Sequence, residues 1–203
     1  MTPRMKLPSG AAKALKAHKW KPEKHSHYVE PEWCDRRLFD VEHFEGAILD
    51  PCCGFGRIPK AAIAAGYEAR GTDLVYRGYG DVRDCSDFLT SRGTWPNLVF
   101  NSPYHLLEEF TMKAMEVARR KIAMLWLVRR MNAAHYLRDC PVSKIYLLTP
   151  RPSMPGGRQV AKHMKKGTEP SGGLQDFCWI VIDKAYSGYP RLDWLHRDGF
   201  KDD

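Results

Sequence analysis

Two short runs hold residues whose types and spacing could do chemistry. In Ile48-Leu49-Asp50-Pro51-Cys52-Cys53-Gly54-Phe55-Gly56-Arg57 an apolar strand ends in a carboxylate, and a turn with two glycines leads into a helix. Glycines at such a turn let backbone amides approach a ligand closely, and the carboxylate can accept hydrogen bonds or pair with a cation. The same G-x-G also occurs in dinucleotide sites and in tight turns that bind nothing. Here Pro59 stands where a dinucleotide fingerprint wants its third glycine, so the loop suits a compact cationic ligand better than a pyrophosphate. Gly71-Thr72-Asp73-Leu74 closes a neighbouring strand, and the Asp73 carboxylate there can hold the hydroxyls of a ribose or cap a helix. The second run, Asn97-Leu98-Val99-Phe100-Asn101-Ser102-Pro103-Tyr104, takes an apolar strand straight into Asn-Ser-Pro-Tyr. Alone, that tetrapeptide reads as a strand-to-helix turn capped by Asn101.

The elements that must position these residues are short apolar runs alternating with helical stretches, the pattern of a mostly parallel sheet with crossover helices. Strands are expected over Ala47 to Asp50, Tyr67 to Asp73, Leu98 to Asn101, Ile122 to Val128, Lys144 to Leu148 and, last, Phe177 to Ile182. Helices are expected over Ile58 to Ala65, Leu106 to Arg120 and, briefly, Asn132 to Arg138. Residues 150–173 hold Gly156, Gly157, Gly167, Gly172 and Gly173 and read as a long irregular loop, so the strands on either side should pair antiparallel. Trp126 and Trp179 fall within strands and are expected in the core.

At 203 residues the chain suits one α/β domain, here expected over 28–203 behind a basic, loosely held arm at 1–27. That arm carries seven Lys or Arg against the single Glu23, and residues 151–167 form a second acid-free stretch with Arg151, Arg158, Lys162, Lys165 and Lys166. Such placement fits a polyanionic partner, although solvated segments of this kind also serve solubility alone. The six cysteines show no C-x-x-C pair, so a zinc knuckle or disulfide framework is not expected. No apolar run approaches the roughly 18 residues that cross a bilayer, and residues 1–10 lack the apolar stretch of a secretory signal, so a cytoplasmic location is expected.

Asn101-Ser102-Pro103-Tyr104 resembles the D/N/S-P-P-Y/F catalytic motif of amino-methyltransferases, with Ser102 in place of the first proline. Asp50 to Gly56 resembles their D-P-x-x-G-x-G cofactor motif, in the same order along the chain. Over about residues 28–195 the sequence resembles small phage- or prophage-type DNA adenine methyltransferases. Tyr28-Val29-Glu30-Pro31-Glu32-Trp33 is similar to their Y-x-T-P-x-W segment, with Glu30 where threonine is usual, and a carboxylate there would repel the cofactor's own. Asp87-Phe88 resembles the acidic-apolar pair that touches the cofactor's adenine, with Asp84 a rival, and Arg151 to Pro155 with Gln175 to Trp179 resembles the C-terminal hairpin.

The resemblance implies a Rossmann-like class I methyltransferase fold: α/β, with a mostly parallel seven-stranded sheet and a C-terminal antiparallel hairpin. It implies S-adenosyl-L-methionine as cofactor, held by Tyr28, Pro31, Trp33, Asp50, Pro51, Gly54, Gly56, Asp73, Leu74, Asp87, Phe88 and Asn101, and no metal. Methyl transfer to the N6 amine of a flipped adenine would fall to Asn101, Ser102, Pro103 and Tyr104, the first two accepting the amine hydrogens and Tyr104 stacking on the base. Double-stranded DNA would be met by Arg129, Arg130, Arg151, Arg158, Lys162, Lys165 and Lys166. Two other substrates share such a pocket, an RNA base and a protein glutamine. The departures at Glu30 and Ser102 also leave open a cofactor-fold protein that binds without catalysing.

Overall fold

The computed structural model describes residues 27–80 and 85–199. Apart from His27, the basic arm expected over 1–27 lies outside the described residues, as does Asp84. Among the described residues seven strands form one sheet: β1 (Ile48–Asp50), β2 (Ala69–Gly71), β3 (Asn97–Phe100), β4 (Lys121–Leu127), β5 (Val142–Thr149), β6 (Phe177–Asp183) and β7 (Arg191–His196), in the order β2-β1-β3-β4-β6-β5-β7. Four pairings are parallel, and β6 runs antiparallel to both its neighbours. The expected hairpin of β5 with β6 is therefore present. The expectation that Phe177 opens the last strand is corrected, because β7 follows it and lies parallel to β5 at the sheet edge.

The reason for the central strands is their composition. β4 and β6 are apolar on both faces and almost wholly buried, as strands covered by a layer on each side must be. Alternation then sends Ala123, Leu125, Trp179 and Val181 into one core, and Ile122, Met124, Trp126, Ile180 and Ile182 into the other. Trp126 and Trp179 are both fully buried, as expected. The first core is covered by α1 (Glu32–Val41), through Cys34, Leu38 and Phe39, and by α2 (Arg57–Ala64), through Ile58 and Ala62. The second is covered by α3 (Leu107–Val117), whose Leu107, Phe110, Ala114 and Val117 recur at helical spacing.

Three local features depart from expectation. α1 is charged enough to hide its period, and its buried face includes Asp35. The helix expected over Asn132 to Arg138 is instead two short 3₁₀ turns, Val128–Ala133 and His135–Asp139. Residues 150–173 are not irregular throughout. Pro152 to Gly157 are buried, and α4 (Gly157–Met164) follows, anchored by Val160. Backbone bonds from Val29 N to Pro155 O (3.0 Å) and from Gly157 N to His27 O (2.9 Å) tie this segment to the chain before α1.

Candidate active site

Parallel pairing places the ends of β1, β2 and β3 at one edge. Asp50 is opposite Gly71, and Leu49 is opposite Leu98, so Asp50, Asp73 and Asn101 emerge together. Strand order reverses around β1, since β2 lies on one side and β3 on the other. A crevice at the carboxyl ends of strands beside such a reversal is where open α/β sheets bind ligands.

The cavity found there is lined by Tyr28, Glu30, Asp50, Pro51, Gly54, Asp73, Leu74, Asp87, Phe88, Asn101 and Pro103, among others. It thus gathers most of the residues expected to meet a cofactor. The others stand apart. Pro31 caps the start of α1, and Trp33 packs on the first core and lines a separate groove with Phe39 and Met164. Gly56 sits behind the wall at the head of α2, with φ +75°. A side chain there would run into the Tyr79 ring, so both conformation and space call for glycine. Pro59 is in the first turn of the same helix, where its missing N–H has no partner to lose.

The loop is held by its own carboxylates. Asp50 Oδ1 accepts from Cys52 N at 3.1 Å, and the Asp73 carboxylate accepts from Gly54 N at 2.9 Å and Val75 N at 3.0 Å. Asp73 therefore latches the glycine turn to the end of β2. Its oxygens keep further lone pairs for a ligand. Cys52 bridges to the next strand end, its thiol donating to Asn101 O at 3.4 Å. Burial and the nearby Asp50 and Asp73 charges push the Cys52 thiol well up, which keeps it protonated. All cysteines among the described residues are free.

Asn101 carries the most defined geometry. Its Nδ2 donates to Glu30 Oε2 at 2.7 Å and to Tyr28 O at 3.1 Å. Ser102 is buried behind it. Tyr104 does not line the cavity. Its ring stacks on Tyr28 at 5.8 Å and tilts against Phe177, and its sealed hydroxyl has no partner among the described residues. Phe88 packs on Phe110 with tilted rings at 5.3 Å, and Asp87 caps the turn that begins at Phe88 by accepting from Leu89 N.

The wall is acidic. Glu30, Asp50, Asp73 and Asp87 stand against Arg57 and Arg77. Burial raises the Asp50 carboxyl well above its usual range, and the charges of Glu30 and Asp73 raise it further, so a cation in the cavity would relieve all three. Arg57 is already engaged, donating to Glu30 O and pairing with Glu169 at 3.1 Å. His27 and Arg77, not expected from the sequence, also stand in the wall. Desolvation lowers the His27 imidazole to about 4, with Arg77 adding and Asp73 opposing. It is thus neutral at pH 7 and adds no charge to a basic arm. Among the described residues no cluster of His, Cys, Asp or Glu could hold a metal ion, and no helix is long and apolar enough to cross a membrane.

No protein-family model matches this chain, and no curated protein matches it. Among solved structures, a Vibrio vulnificus YJ016 protein described as a modification subunit of a type I restriction enzyme aligns with TM-score 0.53 at 10% identity, over 82% of this chain and 46% of that one. The fold is the Rossmann-like α/β fold of class I methyltransferases. Looser alignments reach a magnesium protoporphyrin IX methyltransferase from Synechocystis PCC 6803 (TM-score 0.49, 11% identity, 73% of this chain and 74% of that one). Another reaches a SAM-dependent methyltransferase from Corynebacterium glutamicum ATCC 13032 (TM-score 0.45, 14% identity, 74% and 86%). In this class I fold the cavity occupies the switch point, and the Ile48 to Arg57 and Asn97 to Tyr104 runs both contribute residues to its wall.

Proposed function

We propose that the protein transfers a methyl group from S-adenosyl-L-methionine to the N6 amine of adenine in DNA. The observation that carries this reading is the Asn101 amide in the wall of an acid-lined cavity, with both its N–H groups already donated and its carbonyl left over. A sulfonium is a cation, and a wall with four carboxylates and two arginines suits one. Asp50, Asp73 and the Gly54 turn would hold the cofactor, with Asp87 and Phe88 at its adenine and Tyr28 and Leu74 beside it. When bound, it supplies an electrophilic methyl group.

An exocyclic amine on adenine has its lone pair drawn into the ring and is a weak nucleophile. Asn101 Oδ1 and the Ser102 carbonyl accept its two hydrogens, hold it in place and favour a tetrahedral nitrogen. No base is needed before attack, because the proton becomes acidic only after the nitrogen is methylated; it then passes to water, the methyl having left a neutral thioether behind. Pro103 stiffens the turn that presents these acceptors. In this reading Tyr104 leaves Tyr28 to stack on the flipped base.

The test is transfer of labelled methyl from S-adenosyl-L-methionine to duplex DNA, followed by digestion to nucleosides. Label in N6-methyl-2′-deoxyadenosine is the expected result. Label only in RNA or protein moves the substrate class. Cofactor binding without transfer to any of the three leaves a binding protein and overturns the reading.

DNA would be met by the exposed Arg129 and Arg130 after β4 and by Arg158, Lys162, Lys165 and Lys166 on and beyond α4. Arg151 is partly committed, paired to Asp176 at 2.6 Å. Charge reversal of Lys162, Lys165 and Lys166 together is expected to weaken duplex binding and to flatten the plot of log affinity against log salt by about 3, roughly one per lost phosphate contact. Cofactor affinity should stay put, since none of the three lines the cavity. An unchanged salt slope, read by fluorescence anisotropy, sinks this placement of the DNA.

A further inference from the structure

A side-chain amide has nearly the same shape either way round, so what it shows to a ligand depends on what holds its other edge. At Asn101 the holding edge is made of two acceptors, the Tyr28 carbonyl at 3.1 Å and the Glu30 carboxylate at 2.7 Å. Two acceptors demand the NH2 group. The carbonyl oxygen is then the amide's remaining polar atom on the cavity side.

Glu30 is itself held in place. It is buried, 6% exposed, on the segment that bonds to Pro155 through Val29 N, and its backbone carbonyl accepts from the Arg57 guanidinium. Burial raises its pKa, while the Asn101 N–H and Arg57 oppose the rise by favouring the charged form. A buried carboxylate with so few partners is costly to keep, and Asn101 is the side chain to which it bonds.

We propose that Glu30 is the positioning residue of the site: its carboxylate fixes the Asn101 amide with Oδ1, and not NH2, toward the substrate. The inference rests on reading Asn101 as the acceptor for a substrate amine. It deepens that reading by giving the site its preference for an amino group over a keto oxygen, because a reversed amide would offer donors and welcome the keto group instead. It also assigns a role to the one residue of the Tyr28 to Trp33 segment whose type looked unsuited to its place.

The test is a double-mutant cycle read in two ways, by methyl-transfer rate and by melting temperature. Glu30→Leu removes the acceptor at similar size and is expected to lower kcat by about tenfold or more, the scale of one lost buried hydrogen bond to a charged group, with a much smaller change in cofactor KM. Glu30→Gln retains an acceptor and is expected to recover most of that loss. Asn101→Asp sets two carboxylates against each other and is expected to lower both rate and melting temperature. Adding Glu30→Gln to it should regain both, since the glutamine amide can donate to the new carboxylate. Independent, additive effects in the double variant, or full activity in Glu30→Leu, overturn the proposal. The melting-temperature arm needs no substrate. A wild type that labels no DNA, with melting temperature regained in the double variant, overturns the proposed reaction and leaves the coupling of Glu30 to Asn101 standing.

Discussion

Asn101→Ala is expected to cut methyl transfer by about 10²–10³-fold, the cost of removing one preorganised polar group from where charge or hydrogen-bonding demand develops. The truncated side chain takes away the carbonyl that accepts an amine hydrogen, so the loss should fall on kcat more than on the KM for DNA. Cofactor affinity should change far less. The glycine turn, Asp50 and Asp73 that would hold the cofactor are tied to one another by bonds in which the Asn101 side chain has no part. Some stability goes too, about 1–3 kcal/mol, because Glu30 Oε2 loses its donor inside the protein. Rates are therefore to be compared well below the melting temperature. A variant that keeps a third or more of the wild-type rate removes Asn101 from the chemistry.

The sequence was most readable where one force acts alone. Continuous apolar runs such as Ile122 to Leu127 and Phe177 to Ile182 have no way to be satisfied except between two covering layers, and the strands they form differ from expectation by a residue at most. The convergence of the candidate residues was readable for a related reason. Asp50 and Asn101 each end an apolar run and Asp73 follows the short neighbouring strand, and parallel strands bring such ends to one edge without further instruction. Where several weak signals compete, reading failed. β7 alternates charge and apolar residues as an edge strand with exposed Leu192 and Trp194, so nothing marks it as sheet. α4 has a single buried apolar anchor, Val160, amid lysines and glycines that resemble a loop.

The contact of Glu30 with Asn101 spans 71 residues and follows no local rule. Its one trace in the sequence is a carboxylate in a place where the resembling segment has threonine. The same holds for His27 and Arg77. As residue types they suggest only charge, and only the folded chain places them in the wall of an acidic cavity, where His27 becomes neutral.

Trp179 shows how far the site depends on the core beneath it. Its ring is fully buried in β6, and its indole N–H donates to Cys34 O at 3.0 Å in the first turn of α1. That turn follows directly on Glu30 and Pro31, so the same side chain fills the first core and pins the segment on which Glu30 stands. Trp179→Ala is expected to cost about 3–5 kcal/mol through lost transfer energy and the cavity left behind. Set against a total stability of roughly 5–15 kcal/mol, this leaves little folded protein on warming. Trp179→Phe keeps most of the apolar volume and loses the indole donor, for a smaller cost of about 1–2 kcal/mol. Urea unfolding of the two variants checks the pair. The wide gap between them is the signature of volume dominating over the hydrogen bond. If Trp179→Ala unfolds within about 1 kcal/mol of wild type, the ring is not the pin of α1, and the fixed place of Glu30 must come from Arg57 and the Pro155 strap alone.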